Sequence, residues 1–318
     1  MKIVILDAYT ANPGDLSWQK LSDLAELVVY ERSEQAEAAA RVGDADIVLT
    51  NKVAIDREVI EHCPNLKYVG VLATGYNIVD LTAARECGIV VTNVPDYSSD
   101  SVAEMVFAYL LKIYHEVALH SDSVKTGDWT NCPDFCYWKT PLFELADKTL
   151  GVVGYGQIAK RVIAIAKAFK MNVVVYHHRT AAGTKGEDIT FVSLDQLYGM
   201  SDVISLHVPL FEATKEMINR ESIAKMKDGV LLINTARGGL LDEAAVAEAL
   251  NSGKIGYLAA DVVTQEPIPA DHPFLTTPNT LITPHIAWAP REARARLIDV
   301  AARNIAAFIA GAPINRVD

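Results

Sequence analysis

The chain of 318 residues is poor in several things, and each shortage removes a class of function. Cysteine is scarce: Cys63, Cys87, Cys132 and Cys136 are the whole set, and only the last two lie near each other. Their spacing matches no common zinc pattern and no histidine stands beside them, so reduced thiols are expected and a metal site is not. Positive charge is in deficit, with 29 Lys and Arg against 40 Asp and Glu and a formal net charge of −11. Nucleic acid and anionic membranes reward basic surfaces, so neither is an expected partner, and an anionic substrate must be drawn by local cationic groups. Long apolar runs are missing too, since nothing approaches the roughly 18 uninterrupted apolar residues that span a bilayer. The opening Met1-Lys2-Ile3-Val4-Ile5-Leu6-Asp7 reads as a buried strand without a small-residue cleavage site. No repeat, low-complexity tract or long linker interrupts the chain. A soluble, cytoplasmic, globular protein of about two domains is the expectation.

What is present is alternation. Short β-branched runs at 2–7, 27–30, 47–50, 68–73 and 89–93 alternate with amphipathic stretches at 16–25, 35–42, 56–62 and 80–87. Such alternation predicts a parallel sheet with helices on both faces. A long helix is predicted over 100–126, with Ser101 as its cap and Glu104 completing a capping box. An irregular aromatic patch follows, Trp129, Phe135, Tyr137 and Trp138. A second alternating series then supplies six strands, at 150–153, 172–176, 202–206, 230–234, 257–261 and 280–283, before a final helix over 291–309. The simplest packing returns that helix to the first unit. The domains expected are a substrate domain over 1–100, a Rossmann nucleotide-binding domain over 101–286, and a C-terminal helix over 287–318 back on the substrate domain. The fold class is therefore α/β with two doubly wound parallel-sheet domains, a flavodoxin-like substrate domain and an inserted Rossmann dinucleotide-binding domain. Two crossings between domains would leave a cleft where a cofactor can meet a substrate.

The strand-like run ending at Val153 opens into Gly154-Tyr155-Gly156-Gln157-Ile158-Ala159, and helical spacing of Ile158, Val162, Ile165 and Phe169 follows. This is the dinucleotide fingerprint between a strand and a helix, with Ala in its third glycine slot. Gly154 permits the tight turn, Gly156 lets backbone approach a pyrophosphate, and the free amides of the helix N-terminus hold its charge. Gly154, Tyr155, Gly156, Gln157 and Ile158 are thus candidate cofactor contacts.

Three later segments lie at or just beyond predicted strand ends: Ile233-Asn234-Thr235-Ala236-Arg237-Gly238, Asp261-Val262-Val263-Thr264-Gln265-Glu266-Pro267 and Thr283-Pro284-His285-Ile286-Ala287-Trp288. Carboxyl ends of strands line the ligand crevice in open α/β sheets. Arg237 offers a planar, permanently charged fork suited to a carboxylate or polarised carbonyl. His285 is the side chain best able to exchange a proton near neutral pH, and Glu266 bonded to it would orient the ring and favour its protonated form. Taken singly, each has a duller reading, as a surface ion pair, a loop residue or a structural histidine. Jointly they supply what reduction of a 2-oxo acid needs.

At this point the chain resembles the D-isomer-specific 2-hydroxyacid dehydrogenases over nearly its whole length. The matching segments are Ala73-Thr74-Gly75-Tyr76-Asn77-Ile78-Val79-Asp80, Asn93-Val94-Pro95, Ser101-Val102-Ala103-Glu104, the glycine loop and the three catalytic segments. Within that family the Thr-Gly-Tyr-Asn stretch and Phe135-Cys136-Tyr137-Trp138 look closest to glycerate dehydrogenases, the hydroxypyruvate reductases. The resemblance implies an Arg237, Glu266 and His285 triad reducing hydroxypyruvate or glyoxylate, with the histidine as acid in reduction and base in oxidation. It also implies substrate-carboxylate binding by the backbone of Thr74, Gly75 and Tyr76, alongside Arg237. Cofactor contacts carried over are the loop after His207, Val208 and Pro209, then Thr235 and Ala236 flanking the nicotinamide half with Arg237 and His285, and Asp261 bonding the carboxamide. For Asp261 a capped strand end, and for His207 a support of its strand end, stand as alternatives. Two other readings stay open: a dehydrogenase for another small 2-oxo acid of the D-lactate type, and a nucleotide-sensing, corepressor-like interaction protein.

The second Rossmann strand normally ends in an acid about twenty residues past the glycine loop, and binds the ribose hydroxyls of NAD with it. Here the run is Val175-Tyr176-His177-His178-Arg179-Thr180, with no acid. Arg179 and Thr180 could hold a 2′-phosphate, which favours NADP(H) over NAD(H) as the NAD(P)(H) cofactor; alternatively Arg179 stacks on adenine and NAD is used. The aromatic patch outside both sheets, and the family's habit, lead to the expectation of a homodimer.

Overall fold

The computed structural model describes residues 1–186 and 188–318. The chain divides into two compact units, Met1–Ser98 with Trp288–Asp318, and Ser99–Ala287. Among the described residues no helix is long and apolar enough to cross a membrane.

The first unit carries strands β1 (Lys2–Ile5), β2 (Glu26–Val29), β3 (Ile47–Thr50), β4 (Tyr68–Val71) and β5 (Val90–Thr92). All pair in parallel in the order β2-β1-β3-β4-β5, the flavodoxin-like arrangement. Central strands of such a sheet are covered on both faces, which is why they read as continuous Val and Ile runs. The helix Arg291–Ile309 places Ala293, Leu297, Ala301 and Ile305 in one buried cluster with Ile3, Ile5, Leu49 and Tyr68. Each large side chain so buried contributes about 1.5–3 kcal/mol. Helices Arg57–His62 and Leu81–Glu86 start where Asp56 and Asp80 accept amide hydrogen bonds from Val59 and Ala83.

The second unit carries β6 (Thr149–Val153), β7 (Asn172–Tyr176), β8 (Lys185–Gly186), β9 (Ile189–Phe191), β10 (Val203–Leu206), β11 (Val230–Asn234), β12 (Ile255–Ala260) and β13 (Thr280–Ile282). Their order is β13-β12-β11-β10-β6-β7-β9-β8, with only β8 antiparallel. The chain therefore winds outward from β6 in both directions, and the switch point lies between β6 and β10. Helices Ser99–His115 and Gln157–Ala168 cover one face, where Val106, Leu110 and Val162 join Val152, Val175 and Ile233.

Three expectations need correction. Among the described residues the sheet has eight strands rather than six, because β8 and β9 are too short for alternation to mark them. The helix predicted over 100–126 is two helices, Ser99–His115 and Val117–Lys125, broken at Glu116 with φ +42°. The break falls where the buried stripe ends: Ile113 and Tyr114 are core residues, whereas Ser123 is the one buried side chain of the second helix. Ser101 is not the cap, since the helix starts two residues earlier and buries Ser101 within its first turn. Ser99, Asp100 and Ser101 are all capping residue types, so sequence alone could not choose among them.

Candidate active site

After β6 the chain turns at Gly154, whose φ is +103° and whose N–H donates to the Tyr176 carbonyl at 2.8 Å. A Cβ there would stand 2.4 Å from the His207 carbonyl oxygen, so only glycine lets the loop after β6 lie against the end of β10. Gly156 caps the helix Gln157–Ala168 with no side-chain hydrogen bond, and a Cβ on it would meet nothing within 4 Å. Uncapped amides facing open space fit a pyrophosphate. Beyond β11, the Thr235 hydroxyl is buried without a hydrogen-bond partner, which fits a polar group of a ligand. The Tyr155 ring instead turns inward, edge-on to Phe191 at 5.2 Å between centroids, and Ile158 packs on the same core. Both side chains are half-buried, and the Lys160 Nζ lies 5.3 Å from the Tyr155 ring centroid.

The segment after β7 is cationic. The His177 ring bonds the Thr180 hydroxyl at 2.9 Å, while the Arg179 Nε donates to the His178 ring at 3.0 Å. Burial, with repulsion from His178 and Arg179, holds His177 below the usual histidine range. At the end of β10, burial alone pushes His207 down to about 4, so it is neutral at physiological pH and shares a 2.8 Å hydrogen bond with the Ser205 hydroxyl. Val208 packs on the core and Pro209 is exposed.

The turn beyond β11 is shaped by Asn234, which sequence reasoning passed over. Its buried carboxamide accepts from the Ala236 amide at 3.0 Å and donates to the Arg237 carbonyl at 2.8 Å. A polar residue closing the run Val230–Asn234 was the available signal. Arg237 itself is exposed, its Nη1 donating to the Ala236 carbonyl at 2.7 Å. The next residue, Gly238, is buried so tightly that a Cβ would lie 1.9 Å from the Val263 carbonyl carbon. The loops bearing Arg237 and Glu266 are thus in backbone contact.

Glu266 and His285 meet. The His285 Nδ1 and the Glu266 Oε2 are 2.7 Å apart, at the ends of the neighbouring strands β12 and β13. A carboxylate only accepts, so Nδ1 carries the proton, and Nε2 takes no part in this bond. Glu243 supports the Glu266 loop by accepting from the Thr264 amide at 2.8 Å, and its other oxygen is 3.1 Å from Nε2 of the buried His272. Asp261, 2% exposed, accepts from the Thr283 hydroxyl and from the amides of Ile286 and Ala287. Its carboxylate ties down the loop of His285, the arrangement of a capped strand end. The Thr74-Gly75-Tyr76 turn belongs to the other unit, after β4, where the Thr74 hydroxyl donates to the Val94 carbonyl at 2.9 Å. Among the described residues no group of three or more His, Cys, Asp or Glu could hold a metal ion.

Residues 107–287 match the family model described as D-isomer specific 2-hydroxyacid dehydrogenase, NAD binding domain. A hydroxypyruvate reductase of Blautia hydrogenotrophica is 48% identical over 321 residues, covering 100% of both chains. The chain belongs to the D-isomer-specific 2-hydroxyacid dehydrogenases. A second member, a glycerate dehydrogenase of Methylorubrum extorquens, is 40% identical over 89% of this chain and 88% of its own. Among solved structures, an acyclic imino acid reductase in complex with NADPH and D-Arg superposes with a TM-score of 0.87 at 30% identity, covering 100% of both chains. As in the dehydrogenase family model, the Rossmann unit here is a nicotinamide-cofactor domain.

Proposed function

We propose that this dehydrogenase reduces hydroxypyruvate to D-glycerate, and glyoxylate to glycolate, and runs the reverse oxidation. The observation that carries the reading is the 2.7 Å Glu266–His285 pair at adjacent strand ends, in a chain 48% identical to a hydroxypyruvate reductase. A bound nicotinamide would supply the hydride chemistry at the substrate's second carbon. Every other step falls to side chains of this chain. Arg237 holds the substrate's carboxylate and 2-oxo group and balances their charge. His285 Nε2 gives its proton to the 2-oxo oxygen in reduction and takes it back in oxidation. Glu266 keeps Nδ1 protonated, so that Nε2 does the exchanging, and steadies the imidazolium. By resemblance, the backbone of the Thr74-Gly75-Tyr76 turn is a second hold on the carboxylate, and Asp261 meets the carboxamide with what acceptor capacity its three bonds leave.

For the cofactor, NADP(H) is favoured. Burial, and after it the charges of His178 and Arg179, hold His177 below its usual range; a 2′-phosphate would pair with the Arg179 cation, whereas an acid at this position would repel the phosphate. Because phosphate binding would favour the protonated His177, NADPH affinity should rise relative to NADH as pH falls toward the range in which His177 protonates. A homodimer is supported by the aromatic arm, where Phe135 is 88% and Trp138 67% exposed. Four free cysteines suit a reducing, cytoplasmic setting. The test is kcat/KM for hydroxypyruvate, glyoxylate and pyruvate with each nucleotide. Highest efficiency with hydroxypyruvate and NADPH is expected. No turnover on any of the three sinks the proposal, and a preference for NADH beyond about tenfold, some 1.4 kcal/mol, sinks the cofactor reading.

A further inference from the structure

The backbone at His285 is left-handed, with φ +53°, a conformation that costs a non-glycine residue energy and persists only when its surroundings impose it. What imposes it is a chain of hydrogen bonds running inward from the loop. Three consecutive amides are tied to Asp261: His285 to its carbonyl, Ile286 and Ala287 to its carboxylate, each at 2.8 Å. That carboxylate also receives the Thr283 hydroxyl at 2.5 Å. Thr283 has one hydroxyl proton, and the carboxylate has none to give. The proton in the next link, between the hydroxyls of Thr283 and Tyr109, therefore comes from Tyr109.

Tyr109 stands on the helix Ser99–His115 of the same unit and is 2% exposed. Its neighbours on that helix, Val106, Phe107, Leu110 and Ile113, are apolar core residues, so packing alone would be met by phenylalanine. Burial pushes its hydroxyl up to about 12, with the Asp261 charge adding to the rise against the Thr283 bond, so it stays a neutral donor throughout the working range. We propose that the Tyr109 hydroxyl is a positioning group for His285, holding the proton-transfer loop in its left-handed turn through Thr283 and Asp261. The proposal rests on the dehydrogenase reading for its kinetic consequence only, because the loop geometry is measurable without turnover.

The test compares Tyr109→Phe with wild type in two ways. Hydrogen exchange of the 285–287 amides should quicken by about threefold to tenfold, the range of one net hydrogen bond, and kcat should fall by a similar factor. KM and nucleotide Kd should stay within about twofold. Thr283→Val should reproduce both effects, and Thr283→Ser, which keeps the hydroxyl, should show neither. Wild-type protection of the 285–287 amides in Tyr109→Phe overturns the proposal, whether or not the melting temperature drops. A wild-type chain that turns over no 2-oxo acid counts against the proposed function instead, and the exchange comparison still decides the role of Tyr109.

Discussion

Substituting Gly238 by alanine tests how the strand-end loops are held together. An alanine Cβ would lie 1.9 Å from the Val263 carbonyl carbon, and 2.2 Å from both the Thr264 nitrogen and the Val263 oxygen. All three are backbone atoms, so no rotamer change relieves the clash. Ordinary contact begins at 3.4 Å, so the loops must part by about 1.5 Å, and Glu266 lies three residues beyond Val263. Misplacement of a catalytic constellation by about 1 Å costs on the order of 100-fold in rate, near 2.7 kcal/mol. Overpacking adds roughly 1–3 kcal/mol of lost stability, a fall of several degrees in Tm for a unit of this size. Gly239→Ala is the internal control. The three atoms nearest its Cβ would all belong to the Leu210 side chain, Cδ2 at 2.9 Å, Cδ1 at 3.4 Å and Cγ at 3.8 Å, and that exposed side chain can turn away. Steady-state reduction of hydroxypyruvate, followed by nicotinamide absorbance, should therefore fall about 100-fold in Gly238→Ala and less than about threefold in Gly239→Ala. Equal effects in the two variants, or wild-type activity in Gly238→Ala, would refute the reasoning.

Other outcomes follow from the same geometry. Under the proposed mechanism, Glu266→Gln keeps the shape but loses the charge on the imidazole's partner; a hydrogen bond to a charged group is worth about 1.5–3 kcal/mol, so kcat should drop by about tenfold to 100-fold with nucleotide Kd unchanged. Arg237→Lys should raise KM for hydroxypyruvate and lower kcat together, since an ammonium cannot present two parallel donors, and a variant with wild-type KM would remove Arg237 from substrate binding. His207, held at about 4 against an ordinary 6.5, takes up its proton more readily unfolded, so its contribution is complete above pH 6.5 and is lost as pH falls toward 4. Urea unfolding should show acid destabilisation over that window on the order of 3 kcal/mol greater in wild type than in His207→Gln.

Much of the architecture was legible because buried parallel strands must be apolar along their whole length. Runs such as Ile47–Thr50 and Val230–Asn234 announce themselves, and a Gly-rich turn between such a strand and an amphipathic helix has few other uses. The pairing of Glu266 with His285 could be anticipated because both residue types follow strand ends, where side chains converge. Interior supports were less visible. Nothing in the order of residues announces that Tyr109 reaches a hydroxyl 174 positions away, or that Asn234 would fold its carboxamide back on its own turn. The break at Glu116 is equally silent, since it is set by where the core stops and no Gly or Pro marks it. Loop glycines fall between these cases: Gly238 can be seen in the sequence, but the backbone pressed against it cannot.

The most direct measurement is hydroxypyruvate turnover by His285→Ala alongside its NADPH affinity, the latter read by fluorescence titration. Loss of the proton donor should cut kcat by about 100-fold to 10,000-fold, with Kd for NADPH within about twofold of wild type. Turnover close to wild type would contradict the account, because the proton would then come from a group other than the imidazole that Glu266 holds.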